Sequence, residues 1–263
     1  MRYILLILIV VFTLSCEEKY DWQPKVTHLN TIVVDAIITN ENISHCIKIS
    51  EPLDSSNAAP IAISGAIVSV NDGTQNFIFN ESNSLKGSYF STPFQAVVGK
   101  TYSLKVEYNS KTYTASTKAA SLSLTDSFNI IPENNLYKYV EKNVGDPVML
   151  YITYNWSNNA EYTKIKGRAT ASEFFYILKN VDVNKEIGPE KEIIYFPKGT
   201  TIIRKKYSLT DEHQAFLRSL LMETDWRGGI FDVQQGNVIS NISNGGLGYF
   251  AACTVAVDSF IVK

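Results

Sequence analysis

The chain has 263 residues, 24 of them Lys or Arg and 26 Asp or Glu, for a formal charge of −2 at pH 7. That balance offers no basic face for neutralising phosphates, so nucleic acid is excluded as an expected partner. A charged fraction of 19% against a hydrophobic fraction of 45% excludes a disordered chain, and the length suits one large β domain or, better, two smaller ones.

Arg2 supplies a positive start, and Tyr3 to Phe12 is an apolar run of about ten residues, the length of a signal-peptide core and too short for a membrane span. Residues 1–15 therefore read as a lipoprotein signal peptide. They close on Thr13-Leu14-Ser15-Cys16, and a small residue followed at once by Cys is where such a signal is cut and the thiol diacylated. The commonest pattern has Leu three places before the Cys and a small residue two before, where this chain has Thr13 and Leu14. The alternative is an ordinary secreted chain with a Cys near its cleavage site. On the first reading Cys16 is the lipidated first residue of the mature chain, and its acyl chains bury methylenes at about 0.8 kcal/mol each, enough for effectively permanent attachment. Residues 16–29 follow as a lipid-anchored tether. Glu17 and Glu18 resemble the export signal that sends Bacteroidota-type lipoproteins to the outer leaflet of the outer membrane; a solvated linker is the other reading.

From residue 30 the pattern turns to strands. Thr31 to Thr39 is almost continuously apolar and β-branched, Cys46 to Ser50 alternates, and Ile61 to Val70 carries Gly65 at a bulge or close approach. Asn71-Asp72-Gly73 is a hairpin signal leading to Phe77-Ile78-Phe79, and Gly87 to Phe90 is a further strand start. Tyr102, Leu104, Val106 and Tyr108 alternate strictly, Asn109-Ser110 turns the chain, and Lys111 to Thr117 returns with Tyr113 and Ala115 on one face. About seven short strands with frequent turns predict an immunoglobulin-like or prealbumin-like sandwich over 30–118.

Residues 119–147 read as a connecting segment, with Pro132 breaking the pattern, and 148–263 as a second antiparallel β domain. Its strands are Val148 to Tyr154, an alternating Glu161 to Lys166, Glu173 to Asp182 (long enough for a helix too), Ile193 to Phe196 and Thr200 to Lys206. One α-helix is predicted over about 210–224, capped by Ser208 or Thr210, with Asp211 and Glu212 in its first turn and an apolar stripe of Phe216, Leu217, Leu220 and Leu221 facing a sheet. Ile230 to Val233, Val238 to Ile242 and an unusually long Leu247 to Val262 complete the strands. Aside from Cys16 there remain Cys46 and Cys253, which an oxidising compartment would let pair, although a buried thiol in an apolar strand is the commoner explanation.

The ending, Asn237-Val238-Ile239-Ser240-Asn241-Ile242-Ser243-Asn244-Gly245-Gly246-Leu247-Gly248-Tyr249-Phe250, resembles the closing motif of a Bacteroidota outer-membrane lipoprotein family, domain of unknown function 4249. Ile32 to Ile38, Ile63 to Val70 and Gly99 to Val106 match the same family in the same order, so the resemblance covers nearly the whole mature chain. It implies a lipoprotein of the outer membrane, often encoded beside TonB-dependent transporters of the starch-utilisation type or similar outer-membrane systems; the acidic Glu17 and Glu18 add the expectation that it faces the cell surface. It implies no catalytic residue. The loop usual before the closing motif is short here, at Asp232 to Asn237, which puts any binding role of that loop in doubt.

No constellation carries chemistry. His28, His45 and His213 lie far apart and no CxxC occurs, so a zinc pattern is missing. There is no Gly-x-Ser-x-Gly, Gly245 to Gly248 leads into a strand where a phosphate loop needs a helix, and Glu190 and Glu192 stand in a charged loop. No catalytic residue, cofactor or metal is expected. Trp156, in a polar turn, is the candidate for ligand or partner contact by stacking; the alternative is that it folds back to cover a sheet edge. Trp226 reads as a packing plug, and Trp22 has too little context to assign. The expected partners are the membrane through Cys16, an outer-membrane protein complex, and a glycan or peptide ligand. The alternatives are a structural component of outer-membrane assembly or adhesion, and an enzyme acting on surface glycans or peptides.

Overall fold

The computed structural model describes residues 30–53, 59–122, 128–141, 146–157, 159–167, 171–179, 194–224 and 238–263. Cys16 and the signal segment, His28, the tether with Trp22, Glu190, Glu192, Trp226, the expected strand at 230–233 and the short loop at 232–237 lie outside them. The described chain is mostly β. In order it forms β1 (Val33–Thr39), β2 (Cys46–Ser50), β3 (Ile67–Asn71), β4 (Asn76–Glu81), β5 (Ser88–Ser91), β6 (Thr101–Tyr108) and β7 (Lys111–Lys118). Then come β8 (Phe128–Glu133), β9 (Leu136–Glu141), β10 (Val148–Asn155), α1 (Ala160–Lys166), β11 (Ser172–Lys179), β12 (Tyr195–Phe196), β13 (Thr201–Ser208), α2 (Asp211–Thr224), β14 (Leu247–Cys253) and β15 (Val255–Ile261).

The first seven strands behave locally as their patterns dictate. Asn109 and Ser110 take φ of 48° and 60°, the paired positive values of a two-residue hairpin turn. Asp72 holds the next turn by accepting from the backbone N–H groups of Thr74 (2.8 Å) and Gln75 (2.7 Å). Tyr102, Leu104 and Val106 of β6 and Tyr113 and Ala115 of β7 all point into one core.

The expected sandwich is not what the ladder shows. Hydrogen bonds link all seven strands and β14 in a single eight-stranded sheet, in the order β14-β1-β2-β5-β4-β3-β6-β7, curled into a nearly closed barrel. Grouping by chain order assigns Leu247–Cys253 to the 148–263 unit, yet it pairs in parallel with β1 over seven residues, from Val33↔Leu247 to Thr39↔Cys253. The rim between β7 and β14 is bridged by residues 241–246. Ser243 N–H donates to Thr114 O (2.8 Å), Thr114 N–H donates to Ser243 Oγ (2.7 Å), and Asn241 clamps Phe250 by donating to its carbonyl (2.8 Å) and accepting from its N–H (2.9 Å). Val238 to Ile242, expected as a strand, is instead this irregular strip, bound through side-chain amides and hydroxyls.

Two glycines make that closure possible. At Gly248 φ is +89° and a Cβ would stand 2.0 Å from Val34 O, so only a residue without a side chain lets β14 lie this close to β1. At Gly246 a Cβ would meet Ile242 Cγ2 at 2.5 Å. The expected long terminal strand is really two, because at Thr254 the chain leaves the barrel for another sheet; Thr254 N–H donates to Ser208 Oγ (2.8 Å) and its Oγ1 to Ala120 O (2.6 Å).

The remaining strands form an antiparallel four-stranded sheet, β11-β10-β13-β15, and a three-stranded one, β12-β9-β8, whose facing side chains share a core. The connecting segment therefore contains a hairpin: Asn134 and Asn135 turn it with φ of 51° and 64°, and Pro132 is tolerated because β8 is an edge strand. The alternation over Glu161–Lys166 is a helix and not a strand, which gives the described residues two helices. Asn159 caps it by accepting from Tyr162 N–H (2.8 Å), Gly167 closes it in the left-handed region, and Ile165 is left exposed. The helix over 211–224 forms as predicted, with Thr210 Oγ1 accepting from His213 N–H (3.1 Å). Its stripe packs through Phe216 on the outer face of β14, against Tyr249, Ala251 and Cys253.

Gly248→Ala should destabilise the chain by on the order of 3 kcal/mol or more, because it adds a backbone clash to an unfavourable φ. Gly99→Ala, at φ +82° in open space, should cost only about 1 kcal/mol. Denaturant melts of the two variants beside the parent measure the difference; equal losses would mean that the contact with Val34 contributes nothing.

Candidate functional site

Trp156, the residue singled out for ligand contact, lies at the end of β10, where the chain turns into α1. Its relative exposure is 2%, and its indole N–H donates to Thr163 Oγ1 (2.8 Å). Tyr154 and Tyr162 pack against the ring, the latter edge-on at 5.2 Å. The indole thus presents no stacking surface, and the packing alternative describes its position. The turn is polar in sequence, but α1 folds back over it, and its cover is hidden because residues 161–166 read as a strand.

Around this aromatic group the core of the two facing sheets holds unusual polar side chains. Tyr154 Oη donates to Glu173, Lys166 Nζ lies 3.5 Å from the same carboxylate, and Tyr162 Oη donates to Tyr195 O. Burial, together with the nearby Glu173 charge, pushes the Tyr162 hydroxyl up to about 12. Arg204 on β13 is fully buried, with its guanidinium 4.1 Å over the Phe128 ring and its Nε 3.4 Å from Asp258 Oδ1 on the paired strand β15. Phe128 in turn stacks between Tyr139 and Phe260. A cation held between rings and a carboxylate ties two sheets together. It offers no open position for a reacting group.

The two remaining described histidines are also structural. His45 is buried with Nε2 2.9 Å from Phe94 O, and burial holds it below its ordinary value. His213 is stacked on Tyr249 at 4.9 Å, and burial lowers it to about 4. Cys46 and Cys253 are both free thiols; β1 lies between their strands, and burial pushes Cys253 up to about 12. Among the described residues, no group of three His, Cys, Asp or Glu could hold a metal ion.

Among the described residues, the outer face of the four-stranded sheet exposes several apolar side chains. In β10, β13 and β15 alternate residues point away from the shared core, and the register sets Tyr151, Lys205 and Val257 in one row, Thr153, Ile203 and Ser259 in the next, and Asn155, Thr201 and Ile261 in a third. Of these, Ile203, Val257 and Ile261 are 40–60% exposed. Lys205 reaches Glu41 of the barrel at 3.6 Å, marking one border of this face. On the barrel wall there is also a shallow, open depression of about 800 Å³ lined by Ser69, Ser103, Lys105, Thr114, Ser116 and Asn241, among others. It is rich in hydroxyls and has no aromatic ring in its lining.

A family model matches residues 17–259, described as domain of unknown function (DUF4249). The chain belongs to the DUF4249 family. No curated protein matches it. The closing strip of this DUF4249 chain, Asn241 to Phe250, is the segment that seals the barrel, so its Asn and Gly residues have a structural explanation and need no ligand. The exposed sheet face was missed in the sequence because Thr200 to Lys206 alternates Ile202, Arg204 and Lys206 against Ile203 and Lys205, leaving neither face visibly polar.

The low value for His213 fixes a sign. Its folded value, about 4, is below the 6.5 of an unfolded histidine, so the neutral form is favoured by folding. The associated stability is present above pH 6.5 and is lost as the pH falls towards 4, by on the order of 3 kcal/mol. His213→Phe, which keeps the stack on Tyr249, should flatten most of that slope, with His45 supplying a remainder of the same sign. Urea melts between pH 4 and 7 check this, and an unchanged slope in the variant would refute it.

Proposed function

We propose that this DUF4249 chain is a non-catalytic lipoprotein of the outer membrane, anchored at Cys16 and facing the cell surface. In this reading it docks on a TonB-dependent transporter of the starch-utilisation type, or a related outer-membrane complex, and aids capture or delivery of a glycan or peptide ligand. The observation that carries the reading is the face of β10, β13 and β15 on which, among the described residues, Ile203, Val257 and Ile261 are exposed beside Thr153, Lys205 and Ser259, because exposed apolar surface rimmed by polar residues is characteristic of protein contact sites. The occupant proposed is a membrane-embedded barrel. Cys16 is fourteen residues from Asn30, a stretch that spans at most roughly 48 Å, so a partner must itself stand at the membrane surface. The signal-like first sixteen residues support that placement.

Affinity purification of the tagged chain from detergent-extracted membranes tests the proposal. A transporter barrel is expected to co-purify with the parent chain, and its recovery should fall by roughly tenfold or more with Ile203→Asp plus Val257→Asp, both exposed positions whose change leaves the core intact. Recovery of outer-membrane assembly machinery in place of a transporter would favour the structural reading, and undiminished recovery with the double variant would place the contact elsewhere. Cys16→Ser should release the chain from membranes; continued membrane fractionation would overturn the anchor.

A further inference from the structure

We infer that one end of the barrel, the end at which the chain enters it, rests on the lipid surface through apolar loop tips; this depends on the anchor proposed above. The register defines that end. Val33 opposes Ser50, Lys48 opposes Ser88, and Ile67 opposes Glu107, so residues 30–32, 51–53, 59–66, 82–87 and 109–110 gather together. Lys111 Nζ donates to Asn30 O (3.1 Å), which fixes the point where the tether arrives.

Among the described residues of these loops, Leu53, Ile61 and Leu85 are 49%, 57% and 57% exposed, with Ile67 exposed beside them at the start of β3. Their segments are bound to one another. Glu51 N–H donates to Ile61 O (2.8 Å) and Ile63 N–H to Ile49 O (3.0 Å), while Gly87 lies so close to Ala62 that a Cβ there would come within 2.9 Å of the alanine methyl. The tips are set among polar residues, with Ser82 and Ser84 bonded at 3.2 Å and Lys86 at the rim, 3.9 Å from Glu81. Separate exposed aliphatic side chains with a lysine beside them suit immersion at a headgroup boundary better than a flat protein contact.

The opposite end also exposes aliphatic residues, at Ile43, Val97 and Val98, but it is committed elsewhere. Glu41 pairs with Lys205, and Val255 N–H donates to Asn40 Oδ1 (2.7 Å), so that end abuts the strands of the second core. It is also a full strand length farther from Asn30. The covalent link holds the entry end near lipid, where a high effective concentration lets individually weak insertions be realised.

The acylated protein, with Cys46→Ser to remove its half-buried thiol, is reconstituted on vesicles of phosphatidylethanolamine and phosphatidylglycerol doped with brominated phosphatidylcholine. An environment-sensitive fluorophore is placed at Ser84→Cys or, separately, at Val98→Cys. A blue shift and bromine quenching at position 84, with neither at position 98, are expected, and Leu53→Ser with Ile61→Ser and Leu85→Ser should abolish the quenching while the protein still floats with the vesicles. Quenching that is equal at the two positions, stronger at 98, or absent from floating protein overturns the inference while leaving the anchor standing. Protein that does not float overturns both.

Discussion

The structure depends on the parallel pairing of β14 with β1. β1 buries Val34, Ala36 and Ile38 on its core face and half-buries Val33 and Ile37 beside exposed Asp35 on the other, so it is stable only with a hydrogen-bonding neighbour on each side. β2 supplies one neighbour from the adjacent sequence; the other arrives more than two hundred residues later. Once in place, β14 is itself buried on both faces, Phe250 and Ala252 in the barrel core and Tyr249, Ala251 and Cys253 under α2. Without it β1 would be an apolar edge strand with a row of open N–H and C=O groups, the arrangement that templates aggregation. Long-range closure of this kind carries a loop-closure cost, and Gly248 is where the approach would fail first.

Local patterning made much of the barrel legible. β6 and β7 follow from strict alternation about Asn109-Ser110, and Cys46–Ser50 forms as its short alternating run requires. What local patterning cannot convey is which strand neighbours which, and so the sheet reads as a sandwich and β14 as part of a different unit. The hairpin of β8 and β9 was hidden for another reason: Pro132 argues against a central strand, and only tertiary context shows that β8 is an edge. Yet Asn134-Asn135 between Ile130-Ile131 and the alternating Leu136 to Val140 is itself a hairpin signal, since Asn accepts positive φ. At α1, two capping residues outweigh a six-residue alternation whose outward Ile165 gains nothing from burial.

The candidate site had no positive pattern in the sequence. In the structure two buried ionisable groups pack on aromatic rings, Arg204 between Phe128 and Asp258 and His213 on Tyr249. Trp156 looked exposed because its neighbours are polar, and those neighbours turn out to be the cap of a helix that covers it. The exposed face of the four-stranded sheet needs the register of three strands before its residues can be seen to share a side. Because β14 runs into β15 through Thr254 alone, that face belongs to a sheet whose edge strand is a direct continuation of the barrel. A partner bound there would be held at a fixed distance from the strand that closes the barrel.

The most direct test is to express residues 17–122 alone, which contain β1 to β7 but not β14, and to follow amide exchange in Val33–Thr39 during a thermal melt. A barrel that needs its distant strand should give rapid exchange there and no cooperative transition, with both restored when a peptide spanning residues 238–263 is added. A cooperative melt and protected β1 amides in the isolated fragment would contradict the central role of the β1 and β14 pairing.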